Sequence, residues 1–450
     1  MSSLVCLGRH TVTGLLSTSG LQFRDWTAAY RLFAWDRIDM SRLFSIICRE
    51  ASKELPHDGR IYLAMDDSQL RKTGKHIHGV AWRRDPLGPP FHTNFIRAQR
   101  VLQISLAIPQ KKGASSARCI PIDFAHLPLP VKPRHDASNE EWNQYKKSKK
   151  EAAISRLAVP RLQHLYKELG HNTASRQRET FLLVDGRFTN RIVLKGLPEK
   201  MRFIGRIRKD AKLYFEPSAT DQKIRGRRRL YGELAPTPEQ LRQDAGIAWQ
   251  TVKVFAAGKV HGFRIKTQPA LLWRPAGGTQ RLRLIVIAPL GYRPRKGSRL
   301  LYRQPGYLIT NDCVSPLQDI VQSYVWRWEI EVNLRDEKTL LGVGQAQVRS
   351  PASTENVPAM IVASYAMLLL AGLRYNNESS REALLPPPKW LYRKKPIRTS
   401  TQALRNQLRA EMWGRALGIE NFSDFSPSSN CVKKPEKLTP SLPSAVLYAA

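Results

Sequence analysis

The sequence predicts an α/β core split by an all-β insertion, with helical N- and C-terminal regions. Three observations predict it. Ile61-Tyr62-Leu63-Ala64-Met65 and Thr180-Phe181-Leu182-Leu183-Val184 are short continuous apolar runs, each leading into an aspartate and a polar turn, as strands covered on both faces do. From about 208 to 310 the texture changes to short apolar or aromatic stretches between Gly, Pro and basic turns, the mark of antiparallel β structure. Ser315-Pro316-Leu317-Gln318 then opens a long helix, with Ser as N-cap, Pro at the first helical position and Gln completing a capping box.

Taken in order, residues 1–58 read as helical, with Trp26, Tyr30, Leu32, Phe33 and then Leu43, Ile46, Ile47 at three- and four-residue spacing. Residues 59–207 form the first part of the core. Its strands are Ile61–Met65, Val101–Ile108, Thr180–Val184 and Met201–Ile207. A charged helix spans Glu140 to Leu169 with an interruption near Pro160, and a shorter one spans Asn190 to Leu197. Residues 208–310 are the β insertion. Residues 311–375 are the second part of the core, its opening helix running from Ser315 to about Leu341 and stopped by Gly342. Residues 376–450 are a basic C-terminal region, with one amphipathic helix at Thr399 to Leu417 and a loose Ser- and Pro-rich remainder.

Composition narrows the partner. Lys and Arg number 73 against 37 Asp and Glu, a formal charge of +36. Basic side chains gain affinity by displacing condensed counterions from phosphates, so a nucleic acid fits best. An anionic membrane would call for a basic amphipathic helix or a lipidation signal, and neither is present in the sequence. Met360 to Gly372 is the longest apolar run, short of the roughly 20 residues of a membrane span, and reads as a buried helix. The five cysteines, Cys6, Cys48, Cys119, Cys313 and Cys431, form no Cys-x-x-Cys pair and no disulfide framework. A soluble cytoplasmic protein, associated with the nucleoid, is expected.

The strongest local signal is Tyr324, Arg327, Glu331 and Lys338 on the capped helix. On a regular helix all four fall within a sector of about 60°. One face then presents a hydroxyl, two cations and a carboxylate, which suits phosphodiester chemistry: the carboxylate holds a metal and the cations grip phosphates. An ordinary solvated face gives the same pattern, since Arg–Glu pairs four apart are common. Asp66 and Asp185 add two carboxylates at strand ends. Each alone is a usual turn or cap residue. With Glu331 they make an all-oxygen set able to hold two hard cations about 3.5–4 Å apart.

These motifs resemble the bacterial insertion-sequence DDE transposases of the branch with a Tyr-Arg-Glu-Lys signature, over about residues 60 to 350. They are Met65-Asp66-Asp67-Ser68-Gln69-Leu70, Leu183-Val184-Asp185-Gly186, and Tyr324-Val325-Trp326-Arg327-Trp328-Glu329-Ile330-Glu331 continuing to Lys338. The resemblance implies a ribonuclease-H-like core, with Asp66, Asp185 and Glu331 as ligands of two Mg²⁺ or Mn²⁺ ions. It implies that Tyr324, Arg327 and Lys338 hold phosphates of the transposon end, and that a homodimer cuts double-stranded DNA and joins it to a target. The family pattern of Asp, any residue, Ser or Thr selects Asp66 with Ser68, while adjacent Asp67 is the alternative. Glu329 breaks the spacing. The family's base-stacking aromatic has no clear counterpart. Tyr307 is the nearest candidate, an ordinary strand aromatic being the alternative.

Two further features stand outside the motifs. Lys195 to Leu230 holds 12 Lys and Arg against 4 Asp and Glu, including Arg227, Arg228 and Arg229, and reads as either a solvated face or a phosphate groove. His76 and His78 have no third partner in sequence and read as loop residues. A metal-dependent nuclease without strand transfer and a catalytically silent or domesticated DNA-binding copy remain the rival functions.

Overall fold

The computed structural model describes residues 1–450 apart from 36, 57, 58, 90, 219–228, 278, 279, 379–384, 386–397, 415, 416, 418–441 and 450. Arg227 and Arg228 therefore lie outside the described residues, and Arg229 is exposed at their edge. The chain begins with four helices, α1 (Ser2–Val5), α2 (Val12–Thr18), α3 (Thr27–Ala34) and α4 (Met40–Ser52). In α4 the Asp39 side chain caps the first turn by accepting from the Arg42 amide at 2.9 Å, and Phe44, Ile47, Cys48 and Ala51 form the buried stripe.

The core follows as β1 (Ile61–Arg71), β2 (Ala81–Arg84), β3 (Phe95–Pro109), β4 (Ala117–His126), α5 (Asn139–Glu151), α6 (Ile154–His171), β5 (Thr180–Val184), α7 (Arg191–Gly196) and β6 (Arg202–Arg206). β1, β5 and β6 run parallel, while β3 is antiparallel to β1 and β4 is antiparallel to β3. The order β4-β3-β1-β5-β6 is consistent with a ribonuclease-H-like fold. β4 was not foreseen. Pro121 and the charged Arg118 and Asp123 look like punctuation in sequence, but β4 is an edge strand with a register shift at Ile104/Ser105, where a proline is tolerated. The break between α5 and α6 falls at Ala152 and Ala153, not near Pro160, which lies inside α6. Arg100 Nη2 donates to the Ala152 carbonyl at 2.7 Å and so satisfies the chain at that corner.

The segment after β6 contains α8 (Pro238–Gln243), β7 (Gln250–Ala256), β8 (Lys259–Leu271), β9 (Leu282–Ile287), the short pair β10 (Gly291–Tyr292) and β11 (Leu301–Tyr302), and β12 (Gly306–Thr310). It is not a separate all-β unit. β12 pairs with β6, and β9, β8 and β7 follow outward, so one 10-stranded sheet carries both core and insertion. A period-two pattern specifies a strand but not the sheet that it joins.

The remaining helices are α9 (Leu317–Trp326), α10 (Trp328–Thr339), α11 (Pro351–Glu378), α12 (Thr401–Trp413) and α13 (Leu442–Leu447). Ser315 does not cap α9, and its hydroxyl is buried without a partner. Asp312 instead accepts from the Val314 and Ser315 amides, each at 3.1 Å. Gln318 faces β7, accepting from the Lys253 amide at 3.3 Å. Gln322 accepts from the Phe255 amide at 2.7 Å and donates back to the Phe255 carbonyl at 3.3 Å. These two glutamines meet the backbone of the outermost strand, which would otherwise be an open edge.

Two apolar layers sandwich the sheet. One face, with Leu63, Met65, Leu182 and Val184, packs against α4, α6, α7 and α11. The other, with Tyr62, Ala64, Phe181 and Leu183, is covered by α9 and α10 through Ile320, Val321, Trp326 and Ile330. Pro351–Tyr375 of α11 is long and apolar enough to cross a membrane, yet 78% of its most apolar stretch is buried against the rest of the chain. It is the buried helix expected at 360–372, extended at both ends. The C-terminus is not all loose, since α13 lies beyond α12. Arg405 and Arg409 of α12 are buried and donate to the carbonyls that end α1: Arg405 Nε to Leu4 at 2.9 Å, Arg409 Nε to Val5 at 3.3 Å, and both to Cys6.

Candidate active site at the carboxyl ends of the parallel strands

β1 and β5 pair in parallel as far as Ala64 opposite Leu183. Two residues further along each strand stand Asp66 and Asp185, level on neighbouring strands at the carboxyl end of β5, where open α/β sheets bind ligands. Asp66 does not end its strand. β5 stops at Val184, but β1 continues to Arg71 against β3, so Asp66 lies within a strand whose β5-side neighbour has ended. Polar side chains emerge there because the parallel partner is gone.

Alternation sorts the adjacent aspartates. Asp66 follows Tyr62 and Ala64 onto the face covered by α9 and α10, as Asp185 follows Phe181 and Leu183. Asp67 falls on the opposite face, where Arg187 pairs with it at 2.6 Å. Burial is the main cause that pushes the Asp66 carboxyl up to about 6. Arg327 opposes that shift, and the nearby Asp185 adds to it. Asp185 Oδ1 accepts from the Arg187 amide at 2.9 Å and the Phe188 amide at 3.2 Å, which fixes its side chain over the turn into α7.

The signature helix is broken. The Arg327 amide bonds to the Tyr324 carbonyl and the Ile330 amide to that of Arg327, three residues back in each case, so one tightened turn separates α9 from α10. The regular 100° step does not carry across it, and the single 60° sector is not how these residues meet. Arg327 faces two carboxylates instead: Nη2 contacts Glu331 Oε1 at 2.7 Å and Nη1 contacts Asp66 Oδ2 at 3.3 Å. Its guanidinium lies 5.7 Å from the Tyr324 ring centre, and its Nε is buried without a partner. Burial alone would lower the Arg327 pKa; Tyr324, Asp66 and Glu331 more than offset this, and the net direction is upward. Lys338 Nζ donates to Ser68 Oγ, on the same face of β1 as Asp66, and burial lowers its pKa. Burial likewise raises the Tyr324 phenol.

The break is held firmly. Trp326 Nε1 donates to the Ser115 carbonyl at 2.7 Å, and its ring meets Tyr62 edge-on at 5.3 Å, a contact of about 0.5–1.5 kcal/mol beyond its burial. Asn333 Nδ2 donates to the Cys119 carbonyl at 2.9 Å and ties α10 to β4. Asn333→Ala would orphan that carbonyl at a cost of about 1–3 kcal/mol. Glu329 points elsewhere, paired with Arg398.

Tyr307 does not present a ring for stacking. It is 5% exposed, packs in the core from β12, and donates its hydroxyl to Glu239. The strand alternation that gave it an aromatic also turned it inward. Sequence reasoning missed Arg187, two residues beyond Asp185, and Gln103, the β3 partner of Asp66. Gln103 carries a readable signal, a lone polar residue inside Val101-Leu102-Gln103-Ile104.

Among the described residues no three His, Cys, Asp or Glu side chains gather closely enough to hold a metal ion. At this site the Arg327 guanidinium bridges Asp66 and Glu331. The set fits a hard divalent ion in chemistry: carboxylate oxygens only, with Asp185 close enough to add to the charge cost of Asp66. A family model described as DDE superfamily endonuclease matches residues 2–258, a span that holds Asp66 and Asp185 and stops short of Glu331. No curated protein matches the chain.

Proposed function

This chain belongs to the DDE superfamily endonucleases, and from that premise we propose that it is a DNA transposase of the Tyr-Arg-Glu-Lys branch, cutting transposon ends and joining them to target DNA. The observation that carries the reading is the level placement of Asp66 and Asp185 under the helix pair that bears Arg327 and Glu331. Asp66, Asp185 and Glu331 would hold Mg²⁺ or Mn²⁺, in a two-ion site. Such ions, when bound, activate an attacking oxygen and stabilise a leaving one.

The protein's own groups supply the rest. Arg327 neutralises two carboxylates while the site waits, and on DNA its planar fork turns to a phosphate, freeing Glu331. Tyr324 stacks beside the guanidinium and limits its swing. Lys338, beside Ser68 on the Asp66 face, contributes positive charge next to the strand being cut and offsets charge that builds on the transferring group. Water and then the freed 3′-hydroxyl are the nucleophiles. A homodimer, one copy for each end, working in the cytoplasm on chromosomal DNA completes the proposal.

The test uses duplexes carrying the DNA that flanks the coding region, a supercoiled target plasmid, and Mg²⁺ or Mn²⁺ against a chelator. Cuts with free 3′-hydroxyl ends and joined products are expected. Asp185→Asn and Glu331→Gln should each reduce cutting to background with duplex binding retained. Cutting without joining selects the plain nuclease. The Arg327 bridge also suits a copy that binds DNA and never cuts. Tight binding with no cutting under any divalent ion would select that reading and overturn the transposase.

A further inference from the structure

We infer that the β2–β3 ribbon is a landing surface for unpaired nucleic-acid bases. The inference rests on the DNA-acting reading above and adds the place where an opened strand is held. Register puts Trp82 opposite Arg97 and Arg84 opposite Phe95. Opposed residues share a face, as do residues two apart, so these four form a square with rings on one diagonal and guanidinia on the other. Both rings are open to solvent, Trp82 at 69% and Phe95 at 58% exposure. Among the described residues no ring or cation stacks on either. Leu87 and Phe91, in the segment joining the strands, are 87% and 90% exposed.

Charge narrows the occupant. Residues 71–97 hold six Lys and Arg and a single acid, Asp85. Asp85 is buried, pairs with Arg71 at 2.6 Å and accepts from the Leu87 amide at 3.0 Å, so it anchors the ribbon and leaves the exposed face cationic and aromatic. Guanidinia beside open rings suit a strand whose phosphates and base faces are both available. A closed duplex offers its phosphates but hides its base faces. The ribbon also leads to the carboxylates. Gln103 lies opposite Asp66, and Arg97, six positions earlier on β3, shares its face about 20 Å away.

The experiment is fluorescence anisotropy of the full chain without divalent metal, on a labelled thymidine single strand and a blunt mixed-sequence duplex, each about 20 nucleotides long. Trp82→Ala and Phe95→Ala should each weaken single-strand binding roughly ten-fold, with far less effect on the duplex, and Trp82→Phe should keep most of the affinity. Arg84→Ala, which leaves both rings in place, should weaken the single strand and reduce its salt dependence. Because no metal is present, failure here leaves the cutting reading standing, and failure to cut leaves this one standing. Unchanged single-strand affinity, or equal losses on strand and duplex, would overturn the inference. So would Trp82-dependent binding to phosphatidylserine vesicles, which assigns the ribbon to a membrane surface, or Trp82-dependent self-association, which assigns it to a second copy.

Discussion

Arg327→Gln separates holding the site closed from acting on DNA. In the resting protein the Arg327 side chain is 10% exposed and its partners Asp66 and Glu331 are 17% and 33% exposed. Removing one member of a buried pair costs about 3–5 kcal/mol. Water screens part of this because Glu331 is a third open, so a loss of about 2–3 kcal/mol is expected. For a chain of this size that is a melting-point drop of a few degrees. The variant leaves carboxylates facing one another without a cation, so a divalent ion no longer has to evict a guanidinium. Ligand at about a hundred times its Kd contributes about 2.7 kcal/mol, enough to recover the loss. The assay is thermal unfolding with and without Mg²⁺, Mn²⁺ or Ca²⁺. The wild type should shift little; Arg327→Gln should start lower and shift more, and adding Glu331→Gln should shrink the shift. Equal metal-free melting points and equal shifts would refute the idea that Arg327 occupies the cation position.

Three further outcomes follow from particular contacts. Burial pushes Glu337 up to about 8, so the folded protein keeps a proton that the unfolded chain sheds near its ordinary value of 4.5. Stability should therefore fall as pH rises between those values, by up to about 1.4 kcal/mol per unit relative to Glu337→Gln, and level off above; parallel pH dependence of the two proteins in denaturant titrations would count against it. Tyr307→Phe should cost about 1 kcal/mol by losing its bond to Glu239 and leave DNA cutting unchanged; slower cutting at full stability would restore a DNA role for that ring. Replacing Arg405 and Arg409 together with Met should cost about 2–4 kcal/mol, because the carbonyls ending α1 lose charged donors, and limited proteolysis should then release the N-terminus first.

What the sequence made readable was local. The apolar runs at 61–65 and 180–184 became strands because five covered residues in a row have few other uses, and the parity of Asp66 and Asp185 followed from them. What it hid depended on partners far along the chain. The helix wheel assumed a constant step and could not see the tightened turn at Arg327, nor that Asp312 and β7 would take the bonds that a capping box assigns to Ser315 and Gln318. Tyr307 looked available because a strand pattern gives alternation without saying which side is inside. The aromatic ribbon at 82–95 is visible only in register, since Trp82 and Phe95 are 13 positions apart in sequence and diagonal neighbours in space.

The union of core and insertion in one sheet gives the site a birth order. Strands β1, β3, β4, β5 and β6 come from residues 61–206, while β12 pairs with β6 only after about a hundred more residues have appeared. Closing so long a loop is slow, and synthesis runs at roughly 5–20 residues per second, so Asp66 and Asp185 stand together on the order of ten seconds before Glu331 exists. Over that interval Asp66 lacks its Arg327 partner, and Asp185 keeps only the amides of Arg187 and Phe188. The face later covered by α9 and α10, with Tyr62, Phe181, Leu183 and Ile204, also lies bare on the ribosome. Any chain that stops within the insertion keeps that face open, making a product that sticks to its neighbours.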